Sequence, residues 1–163
     1  MYKHHTKKQR AAIKMGKHLQ IIVISQPGIY RNGLLALLKA IPQVDDVCVI
    51  DDINLIDQVP DKFQPQAVIV EEHGIREELL KTIRTIADTW PTSTRIVFTD
   101  RFSQLKQIET SGVDFLVINN VTAGRLRILI ENIADREYLL SSKTAPKIKY
   151  VHDMNHCRIY PNR

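Results

Sequence analysis

The chain has 163 residues, of which 44% are hydrophobic and 25% are charged, and its formal net charge is +5. This composition is typical of one globular domain with a hydrophobic core. No apolar run reaches the roughly 18 residues that span a bilayer, and the basic N-terminus lacks the apolar segment of a secretory signal. Two cysteines, Cys48 and Cys157, are too few for a disulfide framework. We therefore expect a cytoplasmic protein without membrane contact.

Charge is distributed unevenly along the chain. Residues 1–18 carry six basic side chains and no acidic one, and residues 143–163 carry five basic and one acidic, so the segment between them has a net charge of −5. We interpret the chain as a basic N-terminal arm (1–18), a central domain (19–142) and a basic C-terminal tail (143–163). Solvated tails are the simpler interpretation of the two ends, but basic ends also permit non-specific contact with nucleic-acid phosphates.

From residue 20 onward, short apolar segments alternate with helical patterns. The segments are rich in β-branched or aromatic residues and show no polar alternation, which is typical of strands buried on both faces of a parallel sheet. They are Ile21–Ile24, Val47–Ile50, Ala67–Val70, Ile96–Phe98 and Phe115–Ile118. Between them, apolar residues recur with the 3.6-residue period of amphipathic helices. The helix after the second strand, around Ile53 to Val59, has the least regular pattern.

Five such strand–helix units predict an α/β fold. The expected architecture is a doubly wound three-layer sandwich, in which five helices flank a five-stranded parallel sheet. Because crossover connections are right-handed, few strand orders are possible. The flavodoxin-like order 2-1-3-4-5 fits this number of elements.

Several motifs follow one another in a familiar order. The stretch from Arg31 to Leu38, followed by Pro42, has the pattern R-x-G-L-x-x-L-L-x-x-x-P, and further matches are Pro65 to Glu71, Trp90-Pro91, Thr99 and Ser111 to Asp114. Together they resemble response-regulator receiver domains of the CheY-like superfamily, and most closely the LuxR/NarL-type subgroup. The resemblance covers about residues 19–142 and implies the receiver fold.

The resemblance also implies a phosphoacceptor site, from which this chain departs. The two acidic residues that help to hold Mg²⁺ in the family correspond to Ser25 and Gln26, and the acceptor aspartate corresponds to Glu71. Thr99 keeps the hydroxyl after the fourth strand, whereas Asn119 replaces the lysine after the fifth.

These replacements act together on the chemistry. Phosphoryl transfer depends on in-line positioning and on neutralising charge at the transferred oxygens, and Mg²⁺ commonly takes one or two protein carboxylates. Ser25 and Gln26 are neutral, and Glu71 is one methylene longer than aspartate. The aromatic switch position of the fifth strand is Leu116. We therefore predict a degenerate receiver that is not an enzyme and has no catalytic residue, metal or cofactor.

Glu71 has two further interpretations. Its carboxylate could act as a fixed substitute for the phosphoryl charge, with Thr99 and Asn119 as hydrogen-bond donors. Alternatively, Glu71 and Glu72 form a solvated strand end. We favour the solvated end, because the lysine and the aromatic switch residue are both missing.

Other chemistries have weaker support. His152, His156 and Cys157 have the residue types and helical spacing of zinc ligands, but no second cluster completes a site, so a surface cluster is the preferred interpretation. The chain also lacks a glycine-rich phosphate loop and the G-x-S-x-G motif of hydrolases.

The resulting prediction is an atypical receiver domain in signal transduction or transcriptional regulation. We expect it to work by phosphorylation-independent binding to a protein partner or to a second copy, as a homodimer. Family interfaces suggest Leu105, Ile108, Arg125, Leu126, Leu129 and Asn132, although helices also need leucines to cover the sheet. One alternative is a nucleic-acid-associated regulator that uses its basic termini, and another is a phosphorylatable response regulator.

Overall fold

The structure is a computed structural model of the chain, and it describes residues 18–72, 76–100, 112–118, 121–136 and 149–151. The described chain alternates strands and helices. In order, the elements are β1 (Leu19–Ile24), α1 (Ile29–Lys39), β2 (Val44–Ile50), a 3-10 helix (Ile53–Gln58), β3 (Ala67–Glu71), α2 (Arg76–Thr89), β4 (Thr94–Thr99), β5 (Phe115–Ile118), α3 (Ala123–Arg136) and β6 (Lys149–Val151).

The strands form one parallel sheet in the order β2-β1-β3-β4-β5-β6. The first five strands have the order 2-1-3-4-5, which confirms the predicted fold. The sixth strand was not predicted and lies in the segment interpreted as a basic tail. Its three residues contain no apolar run, and it is defined by backbone pairing with β5, in which Phe115 lies opposite Lys149. Backbone pairing of this kind leaves little signal in sequence periodicity.

Each face of the sheet has its own hydrophobic core, because successive strand residues point to opposite faces. On one face, Ile21 and Ile69 pack with Leu38 of α1 and Ile130 of α3. On the other face, the core contains Ile22, Val68, Val97, Ile83, Ile86 and Ile53, which come from the strands, α2 and the 3-10 helix. Burial on both faces explains why the inner strand segments show no polar alternation. The segment Val47–Ile50 differs from this expectation, because β2 lies at the edge of the sheet and is only partly buried.

The helices follow the prediction less closely than the strands. The irregular segment around Ile53 forms a 3-10 helix instead of an α-helix, and the Asp52 carboxylate caps it by accepting from Asn54 N at 2.7 Å. The helix expected between β4 and β5, with Leu105 and Ile108, lies outside the described residues. None of the helices in the described ranges is long and apolar enough to cross a membrane.

Candidate functional site

A cavity of about 110 Å³ lies at the carboxyl ends of β1, β2 and β3. The connections from β1 and β3 leave the sheet in opposite directions along the strand order, which is where ligands bind in open α/β sheets. Ser25, Gln26 and Glu71 line this cavity. The fold therefore brings together three of the residues that the resemblance assigns to the phosphoacceptor site.

Ser25 contacts Glu71 directly. The Ser25 hydroxyl donates a hydrogen bond to Oε2 of Glu71. Ser25 itself is only 1% exposed, and its backbone N–H donates to the carbonyl of Ile50 at 3.1 Å. The serine is thus fixed to the end of β2 and presents a neutral donor where the family has an acidic metal ligand. Gln26, the next residue, is exposed.

The neighbouring carboxylate, Glu72, is held by a different hydroxyl. Thr99 is fully buried and donates from Oγ1 to Oε2 of Glu72, and the Glu72 N–H donates to the carbonyl of Phe98 at 2.9 Å. The other oxygen, Oε1, is buried and has no hydrogen-bond partner within the described ranges. Thr99 was a donor to Glu71 only in the interpretation of Glu71 as a fixed substitute for the phosphoryl charge, which we did not favour; the described hydrogen bond of Thr99 is to Glu72.

Arg31 ties the loop after β1 to the end of β2. Its Nη1 donates to the backbone carbonyl of Ser25 at 3.0 Å and pairs with Oδ1 of Asp51. From the sequence, Arg31 was identified only as part of a helix motif. Arg31 lies in the first turn of α1 and Asp51 directly follows β2, so both lie at the carboxyl ends of the strands. These two positions could have indicated the contact.

Acidic residues from three segments line the cavity. They are Asp51, Asp52, Glu71, Glu72 and Glu78. From the sequence only Glu71 and Glu72 were considered, although the acidic pair Asp51-Asp52 directly follows the apolar run of β2 and could have indicated these two residues. A fixed negative field at the strand ends follows from this arrangement.

The residues present do not fit the Mg²⁺ that the resemblance implies. Mg²⁺ needs oxygen ligands at about 2.0–2.1 Å in near-octahedral geometry. Within the described ranges, no three acidic, histidine or cysteine side chains are close enough together to hold a metal ion. One carboxylate oxygen of Glu71 instead accepts a hydrogen bond from the Ser25 hydroxyl. His152, His156 and Cys157, the candidate zinc ligands, lie outside the part of the chain that the structure describes.

Tyr30 lies between the cleft and the core. Burial raises the pKa of its phenol well above the usual value, and the negative charge of Glu71 raises that pKa further. Its ring packs edge-on against Phe98, with centroids 6.0 Å apart. The phenol therefore remains protonated at neutral pH.

Most of the remaining residues that the sequence singled out belong to the hydrophobic core or to the helix that packs on it. Leu116, at the switch position, is fully buried in the same core as Ile83. Leu126 and Leu129 lie on the buried face of α3. On the same helix, Arg125 is half-buried and Asn132 is exposed. Asn119 lies outside the described residues.

Comparisons with known proteins identify the fold. No protein-family model and no curated protein matches the sequence. Among solved structures, the chain is similar to the RcsB response regulator of Salmonella typhimurium (TM-score 0.62, 15% identity, 73% of this chain and 60% of that chain). The receiver domain of the putative response regulator NarL from Mycobacterium tuberculosis gives a TM-score of 0.62 at 12% identity and covers 73% of this chain and 98% of that one.

A third similar structure is the signal receiver domain of an HD domain-containing protein from Pseudomonas fluorescens, with a TM-score of 0.64 and 15% identity, covering 77% of this chain and 93% of that chain. The chain spans only 60% of the length of the RcsB chain. At these identities the likeness concerns the fold. The chain has the CheY-like fold of response-regulator receiver domains, as its motifs predict.

Proposed function

We propose that this chain is an atypical receiver domain that acts in signal transduction or transcriptional regulation through a protein partner or a second copy, without phosphorylation. The observation that carries the proposal is the hydrogen bond from Ser25 to the Glu71 carboxylate. The side chain at the acceptor position is bonded to a neutral hydroxyl, where the family places an acidic metal ligand.

This contact opposes phosphoryl transfer in two ways. The Glu71 oxygen that accepts from the buried Ser25 hydroxyl is engaged in a hydrogen bond and is less available as a nucleophile. Glutamate also displaces the reacting oxygen by one methylene, and shifts of about 1 Å can reduce a rate a hundredfold. Both effects act on the same atom, so restoring a single acidic residue would not repair the site.

The contacts of Arg31 support the proposal from another direction. In the family, a metal ion joins the loop after the first strand to the acceptor. In this chain the Arg31 guanidinium joins that loop to Asp51 through hydrogen bonds. A permanent cation thus ties this loop to the end of β2, which supports a loop that is held by the chain's own side chains.

Intact-mass spectrometry after incubation with acetyl phosphate and Mg²⁺ tests the proposal. We expect the unmodified mass at saturating donor, with a phosphorylatable receiver as a positive control for the donor. A mass increase of one phosphoryl group that Glu71→Ala removes would contradict the proposal and favour a phosphorylatable regulator.

Self-association is tested separately by light scattering over a range of protein concentrations. Ile128 on α3 is a large hydrophobic residue that is 57% exposed, and Asn132 is exposed on the same helix. If α3 forms a homodimer interface, the mass should approach twice the chain mass, and Ile128→Glu should return it to the monomer value. If the protein is a monomer at all concentrations, self-association is excluded, and the proposal is then restricted to a different protein partner.

The charge distribution favours a second candidate function, in which the basic termini bind nucleic acid. One similar structure is RcsB bound to a promoter, and residues 1–18 of this chain carry six basic side chains. Replacing all six with glutamine should then abolish binding to duplex DNA, and binding by the unchanged protein should fall steeply with salt. Binding that is absent at low salt would exclude this candidate.

A further inference from the structure

The last strand of the sheet covers one backbone edge of β5. The four residues of β5 are all buried, and they pair with β4 on one side and with β6 on the other. β6 is the outermost strand of the order. A strand without a neighbour on one side presents a row of unpaired N–H and C=O groups, which is a template for another strand. β6 therefore occupies an edge of β5 that would otherwise accept a different strand.

β6 covers this edge only in part. Its three residues lie opposite Phe115, Leu116 and Val117. Ile118 lies opposite Thr99 of β4, and within the described ranges no residue of β6 lies opposite it. Strands commonly have about five or six residues, so a segment of ordinary length would pair with more of β5 than β6 does.

We propose that β6 is a detachable strand, and that the β5 edge beneath it is the docking surface for an extended segment of a protein partner. The observed pairing of β6 shows that this edge accepts a parallel strand. In recognition by strand addition, main-chain hydrogen bonds provide the affinity and alternate side chains provide the specificity.

The two cores beside β5 define the chemistry of the partner segment. Phe115 and Val117 belong to the core that α1 and α3 cover, whereas Leu116 belongs to the core on the opposite face. Residues directly opposite each other in paired strands point to the same face. A segment that is apolar and β-branched at successive positions would therefore extend both cores, as buried parallel strands do.

Competition between β6 and the partner segment makes β6 an inhibitor that is built into the chain. Both strands need the same N–H and C=O groups of β5, so only molecules with an open edge bind the partner. The apparent affinity is reduced in proportion to the open fraction. The inference rests on the proposed function, which requires a protein partner, and it adds the surface and the chemistry of that partner.

Amide hydrogen exchange of the full-length, unchanged chain tests whether β6 detaches. Successive N–H groups of a strand point to opposite neighbours, so some β5 amides face β4 and the others face β6. We expect the amides that face β6 to exchange at least tenfold faster, at rates that low urea does not change, because the opening is local. Equal exchange rates for the two sets of amides would overturn the inference.

Fluorescence anisotropy with a labelled peptide of residues 147–153 tests docking. Two full-length variants are compared with the unchanged chain. Tyr150→Pro with Val151→Pro removes two successive N–H groups and prevents β6 from pairing, whereas Tyr150→Ala with Val151→Ala keeps those groups. We expect saturable binding to the proline variant and at least tenfold weaker binding to the alanine variant and to the unchanged chain, because their β5 edge is covered.

The peptide has its own matched control, which is the same peptide with the two proline substitutions. This control keeps every charge of the probe but cannot pair as a strand. Equal binding of the two peptides, absent binding to the proline variant, or equal affinity for the proline variant and the unchanged chain would each reject the docking edge. If circular dichroism shows that the proline variant is unfolded, the exchange rates of the unchanged chain decide the inference.

The failure of this inference is distinct from the failure of the proposed function. A phosphoryl mass increase with acetyl phosphate that Glu71→Ala removes would reject the proposed function, whatever the peptide does. Absent peptide binding without a mass increase would reject only the docking edge on β5.

Discussion

The interior strands and the cleft at their carboxyl ends differ in how they are held together. Val23, Ile69 and Ile96 are fully buried, and they lie opposite one another across β1, β3 and β4. The cleft residues a few positions further along are joined by hydrogen bonds and an ion pair, as in the contacts of Ser25 with Glu71 and of Arg31 with Asp51. Packing dominates in the first region and polar contacts in the second.

The energies of these contacts explain why the two regions can change independently. Burying one large aliphatic side chain contributes roughly 1.5–3 kcal/mol, whereas a typical hydrogen bond contributes about 1 kcal/mol net. The sheet contains many such buried side chains and the cleft only a few polar contacts. Residues of the cleft can therefore be replaced without loss of the receiver fold, which accounts for a familiar sheet with an unfamiliar site.

The largest expected effect is in the buried region. Phe98→Ala should reduce the free energy of unfolding by about 3–5 kcal/mol, because it leaves a cavity where a fully buried ring packs. Urea denaturation measures the change. Ile29→Ala is the control, since Ile29 is 93% exposed and should change stability by less than about 0.5 kcal/mol. Similar losses in the free energy of unfolding for the two variants would contradict the claim that packing dominates the stability of the buried region.

A smaller effect is expected in the cleft. Ser25→Ala should reduce the free energy of unfolding by about 1–3 kcal/mol, because it removes a buried donor to a carboxylate. A double-mutant cycle with Glu71→Gln in urea denaturation should give a coupling energy of at least about 0.5 kcal/mol. Thr92→Ala, at an exposed position, is the control. A coupling energy near zero would mean that the Ser25–Glu71 contact does not help to hold the cleft.

The smallest effect concerns Tyr30, at the border of the two regions. Its folded pKa is raised above the ordinary value of about 10, so above pH 10 the unfolded chain loses the phenol proton while the folded chain keeps it. Stability is therefore complete below pH 10 and falls above it. The fall should be less than about 1.4 kcal/mol per pH unit, because the ring is only partly buried.

Tyr30→Phe isolates this contribution. Urea denaturation between pH 9 and 11 should show a shallower loss of stability for the variant than for the unchanged chain. Equal slopes for the two proteins would show that the phenol titrates as it does in water, despite its place beside Glu71.

The sequence predicted the five strands because apolar runs mark strands that pack inside a sheet, and the strand order followed from the rules for crossover connections and the number of units. Apolar runs such as Ile21–Ile24 can lie nowhere but inside the sheet. The segment Lys149–Val151 has no such run, and its pairing with β5 depends on backbone groups that every residue carries. The 3-10 helix after Asp52 likewise depends on local hydrogen bonding that periodicity does not report.

The candidate site likewise has some features that the sequence predicts and others that only the tertiary structure determines. The sequence by itself determined the receiver fold, because its motifs occur at fixed spacing, and the resemblance assigned Ser25, Gln26 and Glu71 to the phosphoacceptor site. Tertiary structure alone decided that Ser25 donates to Glu71 and Thr99 to Glu72, and that Glu78 of α2 lines the same cavity as Asp52. These contacts join residues far apart in the chain, so side-chain direction and the packing of helices on the sheet select the partners.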